Sequence, residues 1–184
     1  MSAQRGTVSS VDESLDSLHV PPTTRKPMVD ADKLFSCKTI PEIKKSLCDL
    51  NVEYVKVGMF DIDGILRGKY MKIDKFLSAL DNGFGFCDVV LGWDSNDQLY
   101  DSSTYTGWHT AYPDAQVRIL PETARALPFE DNVPLFLAEM AGKGESVCPR
   151  GTLRRVVDRA ADMGFAVNAA VEFEFFMFNE TPEN

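Results

Sequence analysis

The sequence predicts an α+β protein in which a small strand-rich domain is followed by the opening of a second domain. Three features carry that expectation: a capped amphipathic helix near Thr39, short turn-bounded strands between Val52 and Met140, and a change after Gly144 to a helix and a long alternating strand.

The first helix is signalled by Thr39-Ile40-Pro41-Glu42. Thr39 can cap, Pro41 suits the first turn, and Glu42 completes a capping box. Ile40, Ile43, Leu47 and Leu50 then recur at helical spacing and form one apolar stripe. Val52 to Phe60 reads as a strand with Val55, Val57 and Met59 on one face. The turn Asp61-Ile62-Asp63-Gly64 sends it back as a hairpin through Ile65 to Met71. Asp74 is expected to cap a short helix through Leu80, ended by Asn82-Gly83. Further strands are expected near Gly85 to Val90, Gln116 to Leu120 and Pro134 to Met140. Between Gly92 and Pro113 lies a long, polar and aromatic loop, and loops of that length are often functional or completed by a partner.

Pro149 to Met163 reads as a helix, with Leu153, Val156, Val157, Ala160 and Ala161 expected to face a core and Gly164 beyond its end. Phe165 to Phe178 is expected to be a long strand. One helix and one strand cannot bury themselves alone, which marks a second domain as incomplete. The expected boundaries are a disordered tail over 1–35, a first domain over 36–141, and the start of a second over 145–184. The tail expectation rests on Met1 to Met28, which has no aromatic residue and is rich in Ser, Thr and Pro. It cannot bury enough apolar area to offset its ordering entropy.

The formal charge of −9 argues against a nucleic-acid partner, since phosphate backbones are held by clustered Lys and Arg. No apolar run approaches the ~20 residues a bilayer requires, and no secretory or transit signal is recognisable, so a cytoplasmic location without a membrane partner is expected. Cys37, Cys48, Cys87 and Cys148 are scattered without a C-x-x-C pair, which points to free thiols rather than zinc.

The most chemically informative stretch is Val171-Glu172-Phe173-Glu174-Phe175. On a strand, Glu172 and Glu174 share a face, and two such carboxylates repel unless something positive lies beside them. Mg²⁺ or Mn²⁺ is the natural partner, because both prefer oxygen ligands, although two glutamates cannot complete an octahedral site. The bland alternative is an amphipathic edge strand with its acids in water.

The strand "AAVEFEFFMF", preceded by "CPRGTLRRVVDRAADMGF", resembles the opening of the catalytic domain of glutamine synthetases. Upstream, "VEYVKVGMFDIDGILRGKYM" resembles that family's first hairpin. "YPDAQVRILPETARALPF" resembles its stretch from Pro-Asp to Leu-Pro-Trp, with Phe129 where Trp is usual. The resemblance covers about Thr39 to Phe178. It implies a β-grasp-like N-terminal domain, and ATP-dependent joining of the glutamate γ-carboxylate to ammonia or an amine through γ-glutamyl phosphate. It further implies Mg²⁺ or Mn²⁺ as cofactor, ATP as co-substrate, and a homo-oligomer with active sites between subunits. Glu174 falls at the family's ligand for the metal nearer glutamate, and Glu172 at the ligand for the metal bridging the ATP phosphates. Asp94, in "LGWDSNDQLYD", is the best match to the loop aspartate that handles ammonium. The usual Asp-Gly-Ser-Ser is absent, so Asp97 competes for the role, as does a plain Asx turn. "ILRGKY" is closer to relatives that use larger amines, which leaves the acceptor open. The family's later ligands are not found up to Asn184, so the chain alone is expected to be inert.

Three other readings stand beside this one. "KVGMFDIDGIL" is how haloacid dehalogenase-type phosphatases begin, with Asp61 as nucleophile and Asp63 as acid/base. "GILRGK" brushes against a phosphate loop, one residue short and with Tyr70 where Ser or Thr belongs. A β-grasp interaction module without catalysis is the third.

Overall fold

A computed structural model describes residues 36, 37, 39–100, 102–179 and 181. The tail expected over 1–35 lies outside the described residues. The first helix, α1 (Ile40–Asp49), forms as its cap dictates: Thr39 Oγ1 accepts the Glu42 amide, and Glu42 returns a carboxylate to the Thr39 amide at 2.9 Å. Two of the four orphan donors at a helix start are thereby satisfied. Ile43 and Leu47 are the buried apolar members of its stripe, while Ile40 and Leu50 pack half-buried against the same core.

β1 (Tyr54–Phe60) and β2 (Leu66–Lys72) pair antiparallel from Tyr54–Lys72 to Phe60–Leu66. Val55, Val57 and Met59 are all buried, as their alternation requires. α2 (Ile73–Asn82) follows without a gap. Its N-cap is Lys72 with no side-chain bond, so the cap expected of Asp74 is not used; Asp74 instead lies in the first turn, where its charge suits the helix dipole. Gly83 stops the helix at φ +69°, and a Cβ there would lie 2.5 Å from the Val117 carbonyl oxygen.

β3 (Phe84–Cys87) is shorter than expected and gives way to a 3₁₀ turn over Asp88–Leu91. β4 (Asp114–Leu127) is much longer than the expected Gln116 to Leu120. Pro121 cannot donate to a ladder and reads as a strand end, but the register shift between Leu120 and Arg125 absorbs it. At that bulge Thr123 Oγ1 donates to the Leu120 carbonyl at 2.6 Å and accepts the Leu137 amide at 2.8 Å. β5 (Val133–Met140) completes a five-stranded mixed sheet in the order β2-β1-β5-β4-β3, with β1 and β5 parallel.

One core joins the helices to the sheet. Ile43 and Leu47 of α1 and Phe76, Ala79 and Leu80 of α2 share a buried cluster with Val55, Val57, Val117, Phe136 and Met140 of the strands. Phe76 and Phe136 are its largest wholly buried side chains, with ring centroids 4.8 Å apart.

After a 3₁₀ segment over Gly142–Ser146, α3 (Pro149–Asp162) ends at Gly164, φ +85°, where the Gly164 and Phe165 amides bond the Ala161 and Ala160 carbonyls. Two expectations fail here. Leu153, Val156 and Val157 are exposed rather than in a core, and Phe165 to Phe178 carries no strand ladder and is exposed throughout. The cause is shared: the apolar pattern is present, but no described strand offers Phe165–Phe178 hydrogen-bond partners, and a strand exists only through its pairing.

Candidate functional site

A polar cluster lies where the β1–β2 turn meets the start of the long loop. Asp61 closes β1 and is wholly buried. Its Oδ1 accepts the amides of Asp63 at 3.0 Å and Ile65 at 2.8 Å, and its Oδ2 accepts Arg67 Nε at 2.7 Å. The aspartate thus shapes the turn that Gly64 opens at φ +82°. Such a buried carboxylate is tolerable only because amides and a guanidinium satisfy it.

Arg67 reaches further. Its Nη1 pairs with Asp97 Oδ1 at 2.7 Å, its Nη2 donates to the Asp94 carbonyl at 3.3 Å, and its guanidinium carbon lies 5.0 Å from the Trp93 ring centroid. Asp63 Oδ2 accepts the Ser95 amide at 2.9 Å, and Tyr100 leans its hydroxyl on Asp63 Oδ1 at 3.4 Å. Burial first, and then the charges of Asp63 and Asp94, hold the Tyr100 phenol above its ordinary pKa.

Asp94 is half-buried. Its Oδ1 accepts the amides of Asn96 at 2.8 Å and Gln98 at 2.9 Å, which makes an Asx turn. Its Oδ2 accepts no hydrogen bond from the described residues. Asp97 is at φ +61° and is committed to Arg67. Asp94 and Asp97 each keep one carboxylate oxygen that accepts no hydrogen bond from the described residues; the other Asp94 oxygen holds its own turn, and the other Asp97 oxygen is tied to Arg67.

The phosphatase reading does not survive this geometry. A nucleophilic Asp61 must be open to phosphate, and here it has no exposed surface and both oxygens are taken. "GILRGK" is turn and strand rather than a phosphate loop leading to a helix.

Glu172 and Glu174 sit in the exposed segment after α3, without a hydrogen bond or ion pair to the described residues. Their oxygen donors suit Mg²⁺ or Mn²⁺, yet no group of three or more His, Cys, Asp or Glu among the described residues could hold a metal ion. The donor type fits and the donor number does not.

A second polar centre has no single sequence motif. Glu139 on β5 is buried at 1% exposure and accepts Arg118 Nε at 2.8 Å from the neighbouring strand. Arg154 Nη1 on α3 donates to both its oxygens, at 2.7 and 2.8 Å. Burial would raise the Glu139 pKa, but the hydrogen bonds from Arg154 and Arg118 outweigh it and hold it below the usual carboxylate range. This ion-pair group ties α3 to the sheet. A lone Glu inside the apolar run "VPLFLAEM" was the one visible signal for it.

Residues 146–184, which contain both glutamates of the alternating stretch, match the family described as glutamine synthetase, catalytic domain. Upstream similarity is broader. Type-1 glutamine synthetase 2 of Dictyostelium discoideum is 45% identical over 130 residues, covering 69% of this chain and 25% of that protein. The chain is a relative of the glutamine synthetases. A glutamate–isopropylamine ligase of a Pseudomonas species is 31% identical over 151 residues, covering 78% of this chain and 32% of that one. The chain therefore spans about a quarter to a third of the lengths of these glutamine synthetase-type relatives. In fold it resembles the cryo-EM structure of Plasmodium falciparum glutamine synthetase, with a TM-score of 0.50 at 14% identity over 70% of this chain and 24% of that one.

Proposed function

We propose that this chain is the front part of an ATP-dependent ligase that joins the glutamate γ-carboxylate to ammonia or an amine through γ-glutamyl phosphate. The observation that carries the proposal is that Glu172 and Glu174 lie inside the stretch matching the glutamine synthetase catalytic domain. In this reading both are ligands for Mg²⁺ or Mn²⁺, Glu174 toward glutamate and Glu172 toward the ATP phosphates. A metal held there would supply positive charge against that of the phosphates. Asp94 is the residue of this chain that meets the amine, through the oxygen its Asx turn leaves free. The sheet order and the two covering helices support a β-grasp-like first domain, which would present the Asp94 loop to a neighbouring subunit of a cytoplasmic homo-oligomer. A non-catalytic interaction module accounts for the fold equally well but gives no reason for the glutamate pair.

The test is a chimaera in which this chain replaces the aligned segment of the Dictyostelium relative. ATP-dependent γ-glutamyl amide formation is expected, with ammonia and small alkylamines compared as acceptors. A chimaera that assembles to the parent's oligomeric size yet makes no amide from any of them would contradict the proposal.

A further inference from the structure

One side chain joins the hairpin to the loop that carries Asp94. Each nitrogen of the Arg67 guanidinium is used: Nε on the buried Asp61 at 2.7 Å, Nη1 on Asp97 at 2.7 Å, and Nη2 on the Asp94 carbonyl at 3.3 Å. The same group lies over the ring of Trp93, one residue before Asp94. Asp61 is itself fixed by the turn amides of Asp63 and Ile65, so Arg67 transmits the position of a rigid hairpin. The loop segment is otherwise held by its own turn, through the Asx bonds, the Asp97 amide on the Asp94 carbonyl and the Trp93–Leu99 bridge, and by two contacts to Asp63, from the Ser95 amide and the Tyr100 hydroxyl.

We propose that Arg67 is a positioning residue for the amine acceptor: it sets where the Asp94 carboxylate stands, and so how tightly the acceptor is held. The proposal rests on the reading of Asp94 given above. Lysine cannot replace it, because a point charge on a flexible stem cannot bond Asp61, Asp97 and a carbonyl at once while stacking on an indole.

Two variants separate this from a general loss of folding. Arg67→Lys keeps a cation beside buried Asp61 but loses the fork, and Asp97→Asn loosens only the loop end of the contact. In the 184-residue chain, amide hydrogen exchange at Ser95, Asn96 and Gln98 should quicken by about tenfold in both variants, while Val57 and Phe136 in the sheet exchange as before. In the chimaera, both variants should raise KM for the amine by about tenfold with KM for ATP and glutamate unchanged. Unaltered exchange overturns the positioning role whatever the ligase assay gives. Quickened exchange in an active chimaera whose amine KM does not respond leaves Arg67 a purely structural residue and also overturns the proposal. A chimaera inactive even before substitution sinks the ligase reading, and the assignment of an acceptor falls with it.

Discussion

At the scale of single residues, the buried carboxylates decide most of what can be tested. Asp61→Asn removes the charge that faces Arg67 at a position with no exposed surface of its own. Breaking such a pair costs about 3–5 kcal/mol, so a marked fall in urea midpoint is expected. The unaltered chain should hydrolyse no p-nitrophenyl phosphate, because its Asp61 is closed to substrate. Turnover that vanished in Asp61→Asn would restore the phosphatase reading. Glu139 gives a pH dependence. Its folded-state pKa lies below its unfolded value, so the folded state gains from it above the ordinary glutamate range. That gain is lost as pH falls from there through the depressed pKa. Thermal midpoints measured from neutral pH down to pH 3 should therefore drop more steeply for the unaltered chain than for Glu139→Gln. Parallel slopes would show that Arg118 and Arg154 do not hold the charge as the geometry implies.

At the scale of elements, local signals were legible where the chain neighbours its own partner. Thr39 and Glu42 announced α1, and the turn from Asp61 to Gly64 announced the hairpin, because cap and turn chemistry act over a few residues. Thr39→Ala should cost about 1 kcal/mol, the usual worth of such a cap, read as a shift in denaturant midpoint with unchanged slope. No shift would mean that the helix end is held by packing alone. Leu47→Ala, at a wholly buried position of the same helix, should cost about 2–5 kcal/mol. What was not legible depended on distant residues. β4 runs through Pro121 only because Thr123 satisfies the groups at the bulge from both sides. The Asp74 cap was displaced because β2 runs directly into α2, leaving Lys72 at the cap position. The alternation of Phe165 to Phe178 called for a strand, but alternation supplies a face and not a partner. The position of Arg67 between Asp61 and Asp97 was equally invisible, since it needs the hairpin and the loop to be folded against each other.

At the scale of the whole molecule, an exposed apolar α3 face and the aromatics from Phe173 to Phe178 stand beside a well-packed sheet domain. The Glu139 ion pairs join the two, so the segment bearing Glu172 and Glu174 is anchored at its upstream end to the same sheet that frames the Asp94 loop. In the proposed reading Glu172 and Glu174 are two of the ligands an octahedral metal needs, so the chain by itself should form no γ-glutamyl amide from glutamate, ATP and amine. Product made by material free of host synthetase would refute that. The family resemblance was readable from the sequence because "VEFEF" and its flanking helix keep their order and spacing. A ligand role for the pair was not, since two carboxylates alone do not complete an octahedral site. The proposed function turns on Glu172 and Glu174 being metal ligands rather than a solvated face. The most direct measurement is ligase activity of the chimaera across a Mn²⁺ titration, for the unaltered chain, Glu172→Gln and Glu174→Gln, with thermal melting as the control for folding. Both variants should melt as the parent does and lose activity by about a hundredfold or more at limiting Mn²⁺, the usual scale for losing an electrostatic partner of a transition state. Near-full activity of both at limiting metal, with normal melting, would contradict the account.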